Sequence, residues 1–307
     1  ALALGALLAV AVGAAAGVAL TLAGRRGDAE PIAVLRTADF HSLAMSPADP
    51  DVVFFGHHHG VMRSDDGGRT WRPLVAQPGF DAMGMAVSRA APRRADTIYV
   101  AGHDVFQAST DGGASWQPLD HDLPGTDIHG FAMSPDDPDR LYAFVVGHGL
   151  FRSEDGGRTW RRPGGELPAD VTALAAAGGS PEVLYAGSLR FGVLRSADGG
   201  RTWVPATTGL ASRRVFALAV DPAARRTVYA GLDDGLYRSD DGGASWGKLP
   251  YPGRNAVALA VSPLRPGVLL AIAVDDRQGL VFRSEDGGAS WGRAGVRGRA
   301  MPRPADR

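Results

Sequence analysis

The chain contains no cysteine, which excludes disulfides, thiolate metal sites, a cysteine nucleophile and a lipid-modified cysteine. Aromatic residues make up only 7% of it, and the formal net charge is −1, with Lys+Arg 32 against Asp+Glu 33. So even a balance supplies no global field to steer the protein toward nucleic acid, and no nucleic-acid partner is expected. Turn formers are abundant instead. The 42 Gly and 21 Pro in 307 residues favour many short strands over long helices, which makes an all-β fold the expectation.

The first 24 residues, Ala1 to Gly24, carry no charge at all. At about 1.5 Å per residue such a helix crosses a hydrocarbon core of about 30 Å. Signal-peptide cores are shorter, roughly 7 to 15 residues. Residues 1–24 are therefore read as a transmembrane anchor, with a cleaved signal segment or a buried core helix as alternatives. Residues 25–34 follow as a linker. Arg25 and Arg26 by themselves argue for the opposite topology, but extracytoplasmic domains commonly follow such a segment. The expected location is the cell membrane with the folded part on its extracytoplasmic side, the alternative being a secreted protein.

A repeat fixes the architecture. The pattern Ser-x-Asp-Gly-Gly-x-(Ser/Thr)-Trp occurs six times, ending at Trp71, Trp116, Trp160, Trp203, Trp246 and Trp291, and uses every tryptophan in the chain. Successive tryptophans lie 45, 44, 43, 43 and 45 residues apart, a period that suits one four-stranded propeller blade. Six four-stranded blades over residues 35–295 are expected, with seven as the alternative. In the first unit the strands read as Ser42 to Ser46, Val52 to Gly56, Val61 to Ser64 and Trp71 to Leu74, and Pro31 to Thr37 is a candidate outer strand that closes the ring. Residues 296–307, basic and Pro-containing, are expected to be a disordered tail, and a monomer is expected.

The composition of the repeat has a structural explanation. An aspartate side chain accepts hydrogen bonds from nearby backbone N–H groups, Gly-Gly permits positive φ, and Ser or Thr adds a further local bond. Asp66, Asp111, Asp155, Asp198, Asp241 and Asp286 are accordingly read as turn formers, and the tryptophans as apolar wedges between sheets. Aromatics also recur on the second strand, as Phe55, Tyr99, Tyr142, Tyr185 and Tyr229, which argues for core packing.

On these repeats, and on phrases such as Gly149 to Trp160, the chain resembles the Asp-box, or BNR-repeat, propellers. That group includes sialidases, xyloglucan-cleaving glycoside hydrolases, sortilin-like luminal domains, a photosystem II assembly factor, and exported bacterial proteins described as glycosyl-hydrolase-like or sialidase-like. The resemblance covers roughly residues 35–295 and implies a fold, not an activity, because the same repeat serves hydrolases and pure binding domains. Sialidase chemistry, as the resemblance implies it, needs an arginine triad, a Tyr-Glu nucleophile pair and an Asp acid. The early Phe-Arg-Ile-Pro motif of that family is absent. Of five glutamates only Glu166 and Glu182 lie outside the repeated turns and the linker, and Tyr251 is the one tyrosine outside the repeated strand positions. A glycosidase using two carboxylates roughly 5 to 9.5 Å apart has Asp233, Asp234, Asp275 and Asp276 as candidates, though solvated acidic turns are the commoner explanation of such pairs.

All eight histidines fall between His41 and His148, in the first three units. His57, His58 and His59, then His103, then His148 occupy the turns after successive second strands, while His41, Met83 and His129 stand just before the inner strands. Both sets open on the face opposite the Asp boxes. Imidazole suits Zn, Cu or Ni, and a thioether adds preference for reduced copper. A transition-metal site, copper or zinc, is thus a candidate at His41, His57, His59, Met83, His103, His129 and His148. The competing reading is solvated turn residues, with Met45, Met85 and Met133 as core filling. The leading expectation is a noncatalytic or accessory module that binds a glycan, peptide or envelope protein through His41, His57, His58, His103, His129 and His148. A glycoside hydrolase and a metal-handling protein are the alternatives.

Overall fold

The computed structural model describes residues 29–37, 39–88 and 96–292. The anchor or signal expected at 1–24 and the tail expected at 296–307 lie outside the described residues. Among the described residues no helix is long and apolar enough to cross a membrane.

Six antiparallel sheets form a six-bladed propeller. Blade 1 runs from the channel outward through Ser42–Met45, Val53–His57, Gly60–Ser64 and Arg72–Ala76. Blade 2 comprises Gly84–Ser88, Thr97–Gly102, Val105–Ser109 and Gln117–Pro118. Blade 3 has three strands, Ile128–Met133, Leu141–Val145 and Gly149–Ser153, its outer position reduced to one bridge between Arg152 and Arg161. Blades 4 and 5 begin at Val171–Ala176 and Val215–Asp221 and each carry four strands. Blade 6 is built from Ala258–Val261, Leu269–Asp275 and Gln278–Ser284. Its outer strand comes from the other end of the chain, where Ala33–Leu35 pairs antiparallel with Val281 to Gly279. The strand expected within Pro31 to Thr37 thus closes the ring and takes up the last residues of the segment read as linker.

The inner strands of neighbouring blades pack on one another all the way round, blade 6 against blade 1. Apolar clusters fill the spaces between blades rather than one central core, as where Tyr142 and Phe144 of blade 3 meet Leu174 and Leu184 of blade 4. The tryptophans sit in these seams. Trp160 is 7% exposed, its ring 5.9 Å from Phe106 of the preceding blade, and the Trp246 indole donates to the Ala206 carbonyl at 2.8 Å.

The register corrects one alignment. Phe54, not Phe55, faces Arg63 as Tyr142 faces Arg152 and Tyr185 faces Arg195. Side chains alternate across a strand, so the one-residue offset turns Phe55 to the other side, where it stacks on Phe40 at 5.8 Å.

The aspartate turns repeat one bonding scheme. Asp66 accepts from the Arg69 and Thr70 amides at 2.9 and 2.8 Å and from the Thr70 hydroxyl at 2.7 Å, while the Ser64 hydroxyl accepts from the Gly68 amide at 2.8 Å. Gly67 and Gly68 take φ of 73° and 92°, values a side chain rarely adopts. In every blade the first glycine of the turn also donates its amide to the hairpin between inner and second strands, as from Gly67 to Asp51 at 2.8 Å and from Gly156 to Asp139 at 2.9 Å. Those two sets of turns therefore share one face. The turns between second and third strands, and the lead-ins to the inner strands, share the other.

Candidate functional site

The lead-in residues of five blades line the channel. His41, Met83, His129, Thr172 and Phe216, from five consecutive blades, line a narrow cavity of about 100 Å³. Deeper in, the channel turns apolar, and Met45, Met85 and Met133 line a second cavity of about 470 Å³ with Leu174, Leu218 and Leu259.

Around the first opening, blades 1 to 3 assemble a rim of imidazoles and carboxylates. Three sets of donor atoms each lie within 4.8 Å of one another: Asp39, His41 and His58; His58, Asp81 and His103; His103, Asp127 and His129. Asp81 is at the centre, its side chain only 2% exposed. Its Oδ2 lies 2.5 Å from His103 Nδ1 and 3.3 Å from His58 Nδ1, and its Oδ1 lies 3.3 Å from His41 Nε2. The last contact lacks hydrogen-bond geometry, so His41 Nε2 and Asp81 Oδ1 are buried without a hydrogen-bond partner. Asp39 is held by the His58 amide, which donates to it at 2.8 Å. At the far end His129 Nε2 lies 2.9 Å from His103 Nε2 and 3.1 Å from Asp127.

Burial holds the imidazoles of His41 and His129 below the usual histidine value, outweighing the opposing pull of Asp39 and Asp81 on the first and of Asp127 on the second.

The remaining histidines are placed differently. His57 stacks on Phe55 at 5.7 Å, its Nδ1 accepts from the His59 amide at 3.3 Å, and burial lowers its pKa. His59 is exposed and packs edge-on against His58 at 5.1 Å. His148 lies in a side cavity of about 340 Å³ with Arg162 and Glu166. Register explains the difference. Val53, Ile98 and Leu141 each face the serine that opens an aspartate turn. Counted from them, His58 and His103 are both five residues on, whereas His57 is four and His148 is seven. Equal turns do not make equal positions.

Sequence reasoning missed the carboxylates. Asp39, Asp81, Asp127 and Asp170 each stand two residues ahead of the lead-in residues His41, Met83, His129 and Thr172, a repeat visible in the chain. In blade 4 the imidazoles are gone, and Asp170 instead accepts from the Ser188 hydroxyl at 2.9 Å.

The hydrolase candidates sit elsewhere. Asp233 faces Arg214 at 3.7 Å, and Asp234 accepts from Tyr237 and Lys248 at 2.7 and 2.8 Å. Asp275 and Asp276 lie at the turn between the second and third strands of blade 6, where Asp276 has φ of 43°. Glu182 does meet a tyrosine, since Tyr142 donates to it at 2.8 Å, but the two are 0% and 4% exposed. Burial and that bond raise the Tyr142 pKa, which suits packing and not attack on a substrate. Tyr251 is core, 4.9 Å from Trp291.

No known family model matches the chain, and no curated protein does. Solved structures do. The propeller resembles a GH74 xyloglucanase from Xanthomonas campestris with a TM-score of 0.60 and 20% identity, over 86% of this chain and 46% of that one. This chain thus spans about half the length of that enzyme. It also resembles YCF48 from Cyanidioschyzon merolae, with a TM-score of 0.52 and 18% identity over 85% and 86% of the two chains. A structure of YCF48 bound to D1 peptide matches with a TM-score of 0.51 and 18% identity, over 86% and 84%. The likeness is one of fold. It unites a hydrolase and a peptide binder, so the chemistry of this chain rests on its own rim.

Proposed function

We propose that this protein is a noncatalytic binding propeller that holds a cationic ligand, a basic segment of a peptide or envelope protein, on the rim formed by blades 1 to 3. One observation carries the reading: Asp39, Asp81 and Asp127 converge with four imidazoles on a single opening, and no Lys or Arg pairs with any of the three among the described ion pairs. Asp39 and Asp127 are partly exposed around the buried Asp81, and carboxylates without a Lys or Arg of their own are complementary to a cation from outside. The likeness to a propeller bound to D1 peptide accords with a peptide ligand, and a neutral glycan lacks the charge this rim answers. The uncharged stretch at 1–24 supports an anchor that keeps the propeller on the extracytoplasmic side of a membrane.

The test is a peptide array graded from basic to acidic, probed with wild type and with an Asp39→Asn/Asp127→Asn variant. Retention of Lys- and Arg-containing peptides by wild type, with at least a tenfold loss in the variant, is the expected result. Equal retention of acidic peptides, or retention indifferent to the two substitutions, would overturn it.

A further inference from the structure

We infer that the inner end of the rim is a site for one divalent transition-metal ion, with Zn²⁺ as the reference occupant, held by Asp39, His41 and His58 beside the buried carboxylate of Asp81. The inference rests on the reading of the rim as a cation site and adds a metal ion at its inner end.

Spacing is the first argument. Zinc bonds to nitrogen and oxygen at about 2.0 to 2.2 Å, so ligand atoms at the corners of its tetrahedron stand roughly 3.3 to 3.5 Å apart. Asp39 Oδ2 lies 3.5 Å from both His41 Nε2 and His58 Nδ1, and Asp81 Oδ1 lies 3.3 Å from His41 Nε2, while the other Asp81 oxygen, Oδ2, faces His58 Nδ1 at 3.3 Å. These separations are long for hydrogen bonds and right for atoms sharing an ion.

The second argument is the orphaned pair. His41 Nε2 and Asp81 Oδ1 are buried with no hydrogen-bond partner, an arrangement that costs stability unless something satisfies them. An ion between them satisfies both.

The third is the supporting shell. His103 Nδ1 at 2.5 Å from Asp81 Oδ2 fixes the carboxylate and leaves Oδ1 free, and the His58 amide fixes Asp39 in the same way. His58 is 47% exposed and Asp39 31%, so the site is open to solvent on one side while Asp81 anchors it from within. Two imidazoles and a carboxylate, with a second carboxylate beside them, form a borderline-to-hard donor set, which favours Zn²⁺ over reduced copper.

The experiment is calorimetric titration of Zn²⁺ into the chelator-treated full chain, with elemental analysis of the product. One ion per chain is expected. His58→Ala, at an exposed position that leaves the fold intact, should weaken binding at least tenfold, and Asp81→Asn should do so as well. His103→Ala, a change to a positioning residue, should weaken it 10- to 100-fold. His121→Ala should change nothing, because His121 packs edge-on against Phe106 and accepts from the Leu123 amide away from the rim. Cobalt substitution should give the intense visible absorption of a tetrahedral ion, lost in His58→Ala. Absence of stoichiometric zinc, or binding unmoved by His58→Ala, would overturn the site. If zinc fails to bind while basic peptides still bind through Asp39 and Asp127, the metal falls and the cation-binding reading stands. If neither binds, both fall.

Discussion

The carbonyl oxygen of Asp81 lies 1.9 Å from the point where a β-carbon on Gly102 would stand. The lead-in to blade 2 can therefore run beside its second strand only because residue 102 has no side chain, and that close approach sets Asp81 under His103. Gly102→Ala should cost about 1 to 3 kcal/mol of stability through overpacking and should lose rim binding. Gly125→Ala, whose nearest neighbour would be at 3.6 Å, is the control. Denaturant unfolding of both variants checks this, and an unchanged midpoint for Gly102→Ala would refute it.

Trp160 fills the seam between blades 2 and 3, and its indole donates to the Gly157 carbonyl at 2.8 Å. Trp160→Ala should cost about 3 to 5 kcal/mol. Trp160→Phe should recover most of that in thermal unfolding if packing dominates, and equal loss in the two variants would assign the effect to the hydrogen bond.

The aspartate turns give the fold an acid limit. Bonds from the Ser115 hydroxyl and amide and the Ser109 hydroxyl hold Asp111 down to about 2, and the other five turn aspartates are lowered by equivalent bonds. A carboxylate depressed in the folded state binds fewer protons there than in the unfolded chain. Its contribution is full above the unfolded value of about 3.9 and disappears as pH falls toward 2. Unfolding midpoints should be flat from these groups above pH 5 and drop between about pH 4 and 2, with a shallower drop in Asp111→Asn. A pH-independent midpoint across that window would contradict the assignment.

Removing the strand Ala33–Leu35 should open the ring. The edge of Gln278–Ser284 would then be bare, and a bare edge recruits strands from other chains. Truncation before residue 37 should lower the melting temperature and produce oligomers in size-exclusion chromatography; a monomer of unchanged stability would show that the closure is dispensable.

A glycan panel including xyloglucan should show no turnover, because Asp233 and Asp234 already face Arg214 and Lys248. Hydrolysis abolished by Asp233→Asn or Asp275→Asn would reinstate a carboxylate mechanism.

What the residues determined alone was everything that repeats locally. The Trp-ended turn, its period and the alternation of short strands follow from bonds spanning four or five residues, whereas six blades rather than seven, and the pairing of Ala33–Leu35 with Gly279 to Val281 that closes the ring, were decided by the tertiary structure. The pairing within the rim was of another kind. His58 and His103 are 45 residues apart, and they meet at Asp81 because each stands five residues beyond the strand residue, Val53 or Ile98, that faces the serine of its aspartate turn. His148, in the corresponding turn, misses by two. A turn can be recognised from composition, but the direction of a side chain inverts with each residue of register, and register is set by pairing across strands. That is why Asp81, one of four acids standing two residues ahead of a lead-in residue, became the centre of the site only when three blades were closed around one channel.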